Sequence, residues 1–350
     1  MNLILDRAIS IVKAVLWIPK ALNIADGETY YPEMTRKGKF KRFTDNILWI
    51  LKYGEVNRFY NLYGMDVVER NDLYGSYCDY RSFMKRRNNL NYGQFNHPQT
   101  SILRDKFMFY QYMSAMGIPV PKVFAVKKGS KLFDSKLNTL AEDVLRERKD
   151  YFVKDIDGEC ASYVRHIRDY NDYLAHKAEF VDKDVIFQER VIQCDVMNQL
   201  NSGAVNTMRT ATCRIAGRIE VLASEVRVGT KHTGSVDNAA AGGILIGVKD
   251  DGCLREQGFV KPGHSESPRI EKHPDTGITF DGFVLPDYDK AIALVRRAHE
   301  LLYGIHSVGW DIAFSVDGPV LIEGNDNWEI TGLQACNRGL KREWLQAIHE

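Results

Sequence analysis

Apolar and polar positions follow two periods along the chain, one typical of helices and one of strands. Residues 104–116 carry apolar side chains at helical spacing, and Gly117, Pro119 and Pro121 predict that this helix stops there. Residues 287–303 have the same period of about 3.6 and predict a second helix. Shorter apolar runs predict strands at 123–126, 151–154, 184–189, 207–215 and 220–228. This mixture predicts an α+β protein in several lobes.

The first hundred residues have a different composition. They are rich in aromatic residues, they contain few β-branched residues, and their apolar positions have helix-like spacing. They hold fifteen Lys and Arg against ten Asp and Glu, a local excess of +5. We therefore predict a mainly helical N-terminal region over residues 1–98, followed by the chemistry-bearing part over residues 99–350.

The longest apolar run, Ala8 to Ile18, is interrupted by Ser10 and Lys13. It predicts an amphipathic helix, which would either pack on its own protein or lie on a membrane surface. A peripheral membrane contact through residues 1–22 is the sharper of these two interpretations. No run reaches the roughly 18 apolar residues expected of a membrane-spanning helix.

Charge and cysteine usage exclude several classes of protein. The net charge of +1 gives no argument for a nucleic-acid partner. The six cysteines are scattered singly, without a C-x-x-C pair, which argues against a zinc site or a disulfide framework and for a reducing compartment. No secretory signal is visible, so we expect a cytoplasmic protein. A location at the inner face of the membrane is the alternative.

A strand pair near the C-terminus carries the strongest chemical pattern. Gly309–Phe314 and Val320–Asn325 are apolar strands, and Asp317–Pro319 between them suits a three-residue hairpin loop. This loop predicts three cross-strand pairs, namely Val316 with Val320, Ala313 with Glu323, and Asp311 with Asn325. The opposite face of the hairpin would carry the apolar side chains of Trp310, Ile312, Phe314 and Ile322.

Because strand side chains alternate, this register places Asp311, Glu323 and Asn325 on one face. Two carboxylates and an amide oxygen form a hard, oxygen-only site. Such a site suits Mg²⁺ bridging nucleotide phosphates better than zinc or copper. We therefore predict that these three residues bind magnesium.

The Asp, Glu-x-Asn arrangement resembles the metal-binding end of the ATP-grasp superfamily, whose members sandwich ATP between two α+β lobes. The segment Asn206-Thr-Met-Arg209, the Val-Asp-Asn motif followed by Gly-Gly-Ile, and Ile-Glu323-Gly-Asn resemble one branch, the sugar-transfer-associated family of bacterial surface-polysaccharide synthesis. The resemblance covers roughly residues 99–328. It implies a small ATP-binding lobe over about 120–190, a C-terminal lobe over 191–350 with the metal site, and two magnesium ions.

The resemblance also implies a nucleotide site. Lys106, at the start of a helix, and Lys154, at the end of a strand, would contact phosphate, and the small-residue loop from Gly158 to Ser162 would offer it backbone N–H groups. Glu159 and Cys160 depart from the smaller residues that are usual in this loop. Adenine and ribose would be contacted by residues of the following strand and linker: Gln188, Glu189, Val191 and Asp195. Asp195 is equally well interpreted as a plain loop aspartate.

Two arginines lie within strands of otherwise apolar or β-branched residues. Arg209 and Arg227 would bind the substrate carboxylate and the transferred phosphoryl group. The alternative for each is a cross-strand salt bridge with Glu220 or Glu225. A flexible loop carrying Asp237, Asn238, Gly242 and Gly243 would close over the substrate, or would be an ordinary surface loop.

By resemblance, a substrate carboxylate would attack the γ-phosphate of ATP, and an amine would displace phosphate from the resulting acylphosphate to form an amide. The expected substrates are a sugar uronic acid, free or in a glycan, and an amino acid or other amine, used in capsule or exopolysaccharide synthesis. An ATP-grasp phosphotransferase and a non-catalytic nucleotide-binding scaffold are the alternatives. Neither a P-loop nor a Rossmann glycine motif is present.

Overall fold

The computed structural model describes residues 12–13, 15–92, 98–157, 163–233, 242–260 and 267–349. The Gly158–Ser162 loop, Asp237 and Asn238 lie outside these ranges, as do residues 1–11. Within the described ranges no helix has the length and apolar content needed to cross a membrane.

The N-terminal region is helical, as predicted. Among the described residues its helices are α1 (Ile18–Asp26), α2 (Lys39–Tyr53) and α3 (Tyr80–Tyr92), with a 3-10 segment at Val68–Ser76. Helix α2 ends at Gly54, whose φ of 67° closes the helix in the left-handed conformation that glycine tolerates. Helices α1 and α2 pack on each other through Ala21 and Ile50.

A short helix α4 (Thr100–Arg104) precedes α5 (Lys106–Ala115), where one helix over 104–116 was predicted. The break has a local cause, because Asp105 is extended and its carboxylate accepts hydrogen bonds from the backbone N–H groups of Phe107 and Met108. This N-cap fixes the start of α5 at Lys106. Gly117 ends the helix with a φ of 73°, as expected.

A six-stranded antiparallel sheet, the small sheet, follows among the described residues. Its strand order is β3-β2-β1-β6-β4-β5. The strands are β1 (Val123–Lys128), β2 (Lys131–Phe133), β3 (Thr139–Leu140), β4 (Tyr151–Asp155), β5 (Val164–Ile167) and β6 (Val185–Glu189). One face packs on α6 (Tyr170–His176) and an aromatic core, and the other packs on Phe107 and Tyr110 of α5.

A seven-stranded antiparallel sheet, the large sheet, follows within the described part of the chain. Its order is β11-β10-β9-β8-β7-β12-β13. The strands are β7 (Thr207–Ile215), β8 (Arg218–Val228), β9 (Ile244–Val248), β10 (Leu254–Val260), β11 (Arg269–Ile270), β12 (Ser307–Ser315) and β13 (Gly318–Asn325). Helix α7 (Asp195–Leu200) lies on the connection from β6. The predicted α+β class is therefore confirmed.

The two faces of the large sheet are covered differently. Helix α8 (Tyr288–Glu300), predicted as 287–303, packs with α5 on the face that holds Trp310, Ile312 and Leu321. On the opposite face, Ala211 and Cys213 pack with Trp328, with α9 (Thr331–Cys336) and α10 (Lys341–His349), and with Phe83 of α3. The helical N-terminal region therefore packs directly on the large sheet.

The predicted register of the β12–β13 hairpin is wrong. The loop has two residues, Val316 and Asp317, and Ser315 pairs with Gly318, whose φ is 108°. The pairs observed further along are Ala313 with Val320, Asp311 with Glu323, and Gly309 with Asn325. Gly318 itself closes the turn, so Pro319 stands in the strand rather than in the loop.

A β-bulge then changes which face of the sheet the following β13 side chains point to. Ile312 pairs with Leu321 and Asp311 pairs with Glu323, which leaves Ile322 as an extra residue. Leu321, rather than the predicted Ile322, packs in the core. Without the extra residue Glu323 would point to the core face. The shared face of Asp311, Glu323 and Asn325 therefore depends on a bulge that the sequence analysis did not predict.

Candidate active site

A row of charged side chains crosses four neighbouring strands of the large sheet. Glu225 of β8 pairs with Arg209 of β7, Arg209 with Asp311 of β12, and Asp311 with Glu323 of β13. Directly opposite residues of an antiparallel pair share a face. The sequence pattern of single charges within apolar strands thus assembles into one ionic row.

Asp311 and Arg209 form the centre of this row. Arg209 Nη2 donates to Asp311 Oδ2 at 2.6 Å and Nε donates to Oδ1, so the contact is bidentate. Arg227 Nη1 lies 3.8 Å from the same Oδ2. Burial alone would raise the pKa of Asp311, but the two arginines outweigh it and hold the pKa at about 2. Asp311 is therefore an ionised carboxylate.

Glu323 has the opposite electrostatic environment. Burial raises the pKa of Glu323, and so does the neighbouring carboxylate of Asp311, to which it is hydrogen-bonded; Arg209 and Asn325 offset only part of the shift. Asn325 Nδ2 donates to Glu323 Oε1 at 3.2 Å. Two adjacent carboxylates that share a hydrogen bond need either a proton or a cation between them.

This arrangement fits the predicted magnesium site. The donors are hard oxygens, and a divalent cation would take the place of the proton between Asp311 and Glu323. Across the part of the chain that the structure describes, no group of three His, Cys, Asp or Glu side chains is placed to hold a metal. The site therefore offers two carboxylates and one amide, and Mg²⁺ would complete its shell with water and phosphate oxygens.

Two lysines face this site from the small sheet and α5. Lys154 Nζ, on β4, donates to Gln188 Oε1 at 2.7 Å. Burial lowers the pKa of Lys154 to about 8; Glu323 opposes this shift and Lys106 adds to it. The backbone N–H of Lys106 donates to the carbonyl of Ile156 at 2.9 Å, which holds the start of α5 beside the end of β4. Lys106, Lys154 and Glu323 thus lie within electrostatic range of one another, and the space they share between the two sheets is the candidate cleft.

The predicted adenine-binding strand is only partly oriented toward this cleft. Gln188 is buried beside Lys154, whereas Glu189 contacts Lys122 at 3.4 Å and Arg148 at 3.8 Å. Alternation along β6 accounts for this difference. Val191 follows in the linker, which is bonded to the large sheet by the N–H of Val316 donating to the carbonyl of Ile192.

The other predicted site residues are placed as follows. Asp195 is exposed in the first turn of α7, on the connection between the sheets. Gly242, with a φ of 98°, and Gly243 are buried and lead into β9, where Leu245 pairs with Arg227. The contacts predicted for Gly158, Ser162, Asp237 and Asn238 concern residues outside the described ranges.

Glu225 is the residue that sequence reasoning undervalued. It was considered only as an alternative partner for the arginines, yet it is buried and its Oε1 accepts from Arg227 Nη2 at 3.4 Å. Burial raises the pKa of Glu225, and Arg227 and Arg209 counteract part of that shift. Helix α9 lies against this carboxylate, since a Cβ on Gly332 would approach Glu225 Oε2 to 2.4 Å. The two-residue spacing from Arg227 was the available signal.

The other suggested partner, Glu220, lies 3.9 Å from Arg296 of α8 instead. Arg209 and Arg227 therefore differ. Arg209 donates two hydrogen bonds to Asp311, whereas the contacts of Arg227 are longer, at 3.4 Å to Glu225 and 3.8 Å to Asp311. Arg227 is one-quarter exposed and is the arginine better placed to take a ligand.

Comparison with protein families gives one match. The profile described as sugar-transfer associated ATP-grasp matches residues 174–350, half of the chain. The match begins in α6 and takes in the whole large sheet, including every residue of the ionic row. Lys106 and Lys154 precede it. No curated protein is similar enough to match.

Several solved structures resemble the chain over part of their length. The ATP-grasp ligase PsnB complexed with a minimal precursor has 16% identity and a TM-score of 0.41, over 72% of this chain and 62% of that chain. D-alanine-D-alanine ligase from Helicobacter pylori has 11% identity and a TM-score of 0.44, over 71% and 60%. N5-carboxyaminoimidazole ribonucleotide synthetase from Thermotoga maritima has 15% identity and a TM-score of 0.37, over 72% and 49%. The matched region spans less than two thirds of each of these proteins.

Proposed function

Because the chain belongs to the sugar-transfer associated ATP-grasp family, we propose that it is an ATP-dependent ligase that joins a carboxylate to an amine. The observation that carries this proposal is the cleft in which Asp311 and Glu323 face Lys154 and Lys106. Paired carboxylates and lysines on opposite walls are the arrangement that metal-bound nucleotide phosphates require.

The proposed roles follow from charge and position. Lys106 and Lys154 bind the phosphates of ATP, and the backbone after Gln188 lies against adenine. Asp311, Glu323 and Asn325 hold magnesium, as two ions by family resemblance. When bound, the metal neutralises phosphate charge and orients the γ-phosphate. Gly158, Ser162, Glu189, Val191 and Asp195 complete the proposed nucleotide contacts.

The two arginines have different proposed roles. Arg227 binds the substrate carboxylate and brings its oxygen in line with the γ-phosphate, so that transfer gives an acylphosphate and ADP. Arg209 fixes Asp311 as an ionised acid on the adjacent strand. An amine then attacks the acyl carbon and phosphate leaves, which forms the amide. The loop with Asp237, Asn238, Gly242 and Gly243 covers the substrate.

For the substrates we propose a sugar uronic acid and an amino acid or other amine, in bacterial capsule or exopolysaccharide synthesis. The support for this finer statement is the description of the family as sugar-transfer associated. It also agrees with Arg227, whose guanidinium suits a carboxylate ligand.

The test is ADP release from ATP and Mg²⁺ with a panel of uronic acids, measured with and without amino acids. Amine-dependent ADP release supports ligation. A phosphorylated product without amine would make the protein a phosphotransferase, and nucleotide binding without turnover would make it a scaffold. Glu323→Ala should abolish turnover, whereas Glu300→Ala, an exposed acid on α8, should not.

A further inference from the structure

A pocket lies in the N-terminal region, outside the candidate active site. Its volume is about 710 Å³, and it lies between α1, α3 and the 54–59 segment. Its walls are apolar or aromatic: Trp17, Ile24, Val56, Phe59, Tyr80 and Met84. The rings of Phe59 and Tyr80 pack with their centroids 5.6 Å apart. The pocket can therefore enclose an apolar group.

Charges on the same pocket are mostly positive. Lys20, Arg58 and Arg81 line it together with one acid, Glu55. Lys20 lies 5.8 Å from the ring of Trp17, and Arg58 is exposed. Three cations against one carboxylate favour an anionic group. The combination of an apolar wall and a basic rim suits an amphiphile with an anionic head.

Helices α1 and α2 continue this surface with exposed apolar side chains. Val15, in the helical residues before α1, is 62% exposed and Phe40 of α2 is 80% exposed. Other exposed apolar side chains on α1, α2 and the residues before α1 are Val12, Leu16, Ile18, Leu22, Leu48 and Leu51. A patch of this kind on a soluble surface indicates an interaction site.

The charges around the patch indicate what covers it. Lys13 and Lys20 flank it at Trp17, and Lys52 lies at the end of α2. A tryptophan between lysines, beside exposed aliphatic residues, is the composition of a helix that lies in a lipid–water interface. The basic rim complements the negative surface of a bilayer that contains acidic lipids.

We propose that α1 and α2 dock on an anionic bilayer and that the pocket beside them takes the apolar part of one lipid, whose phosphate lies at the basic rim formed by Lys20, Arg58 and Arg81. This inference is independent of the reaction that the active site performs. It extends the membrane contact expected of residues 1–22 to α2 and to a built pocket on α3.

Docking would also orient the active site. Helix α3 lines the pocket with Tyr80, Arg81 and Met84, and its other end holds the segment after the metal strand. Arg87 donates to the carbonyl of Trp328, and Asn91 Nδ2 donates to the carbonyl of Asp326 at 2.7 Å. One rigid helix thus connects the proposed lipid site to the residue that follows Asn325.

The experiment is co-sedimentation of the full chain with vesicles of phosphatidylcholine alone and of equal parts phosphatidylcholine and phosphatidylglycerol. We expect binding to the second kind only. Val15→Glu should weaken it at least tenfold, and Lys13→Ala and Lys20→Ala about fivefold each. Val181→Glu is the matched control, since Val181 is 58% exposed but lies on the small lobe.

A second pair of variants tests the pocket itself. Arg58→Ala should weaken binding about fivefold, whereas Arg218→Ala, an exposed arginine on β8, should leave it unchanged. Soluble glycerophosphate should not compete with the vesicles. Three results would overturn the proposal: no binding to anionic vesicles, equal binding by Val15→Glu, or displacement by glycerophosphate, which would identify a soluble phosphate ligand instead.

Discussion

Arg209 and Asp311 form a two-point ion pair between adjacent strands of the large sheet. Arg209 is 9% exposed and Asp311 is 6% exposed, so neither charge can turn to solvent. A buried charge that loses its partner is expensive, because it keeps its desolvation penalty and loses its compensation.

Arg209→Ala should therefore destabilise the fold by about 3–5 kcal/mol. The measurement is the free energy of unfolding in urea. Arg218→Ala, at an exposed position of β8, should change it by less than about 0.5 kcal/mol. Equal effects of the two substitutions would show that the pair contributes nothing to stability.

Replacing both partners separates stability from function. Arg209→Met together with Asp311→Leu leaves no buried charge unpaired between these strands, so most of the stability lost in Arg209→Ala should return. The double variant should still lack ATP-dependent turnover, because Asp311 is a proposed metal ligand. A stable and active double variant would remove Asp311 from the mechanism.

Glu323→Gln should raise the melting temperature of the metal-free protein, since it removes one of two adjacent buried carboxylates. The parent protein should gain thermal stability from Mg²⁺ with ADP, and the variant should lose most of that gain. Differential scanning fluorimetry measures both effects. Glu300→Gln serves as control and should respond to Mg²⁺ and ADP as the parent does.

Lys154→Met should weaken ATP binding by about 1.5–3 kcal/mol, the typical contribution of a hydrogen bond to a charged group. Methionine has nearly the length of the lysine side chain but lacks its charge. Calorimetric titration with a non-hydrolysable ATP analogue measures the change. Lys128→Met, at an exposed position of β1, should bind as the parent does; if both variants bind equally well, Lys154 is not a phosphate ligand.

Glu55 should make stability depend on pH. Burial and the nearby Asp79 raise its pKa from 4.5 to about 7, although the backbone N–H groups of Arg81 and Tyr80 offset part of the rise. Between these values the folded state binds a proton that the unfolded state does not, so stability falls as pH rises. Melting temperatures of Glu55→Gln should therefore fall less than those of the parent from about pH 5 to about pH 8. Parallel pH curves would contradict the shifted pKa.

The hairpin shows how far sequence reasoning reached. Alternation of apolar and polar residues predicted both strands and the common face of the three oxygen ligands. It did not predict the two-residue turn or the bulge at Ile322. The error in turn length and the omission of the bulge cancelled, so the predicted face of the three ligands was still correct. Turn type and bulges depend on backbone geometry and on the neighbouring strand, which a single strand's pattern does not encode.

Contacts between residues far apart in the sequence could not be predicted from local patterns. Lys154 and Glu323 are far apart in sequence, and only the family resemblance suggested that they meet. The lipid-site proposal rests on Trp17, Phe59 and Tyr80, which come from three separate segments and share no spacing. Glu225 could have been predicted from its position two residues before Arg227, because such residues share a strand face.

The contacts of α3 have a consequence for engineering the chain. Asn91 also donates to the carbonyl of Ser307 and accepts from its N–H, so this one side chain joins the start of β12 to the segment after β13. A truncated version beginning after residue 98 would remove the hydrogen-bond partners of those backbone groups and the ring contact of Phe83 with Trp328. Exchange of N-terminal segments between related proteins would have to transplant Arg87 and Asn91 together with the helix that carries them.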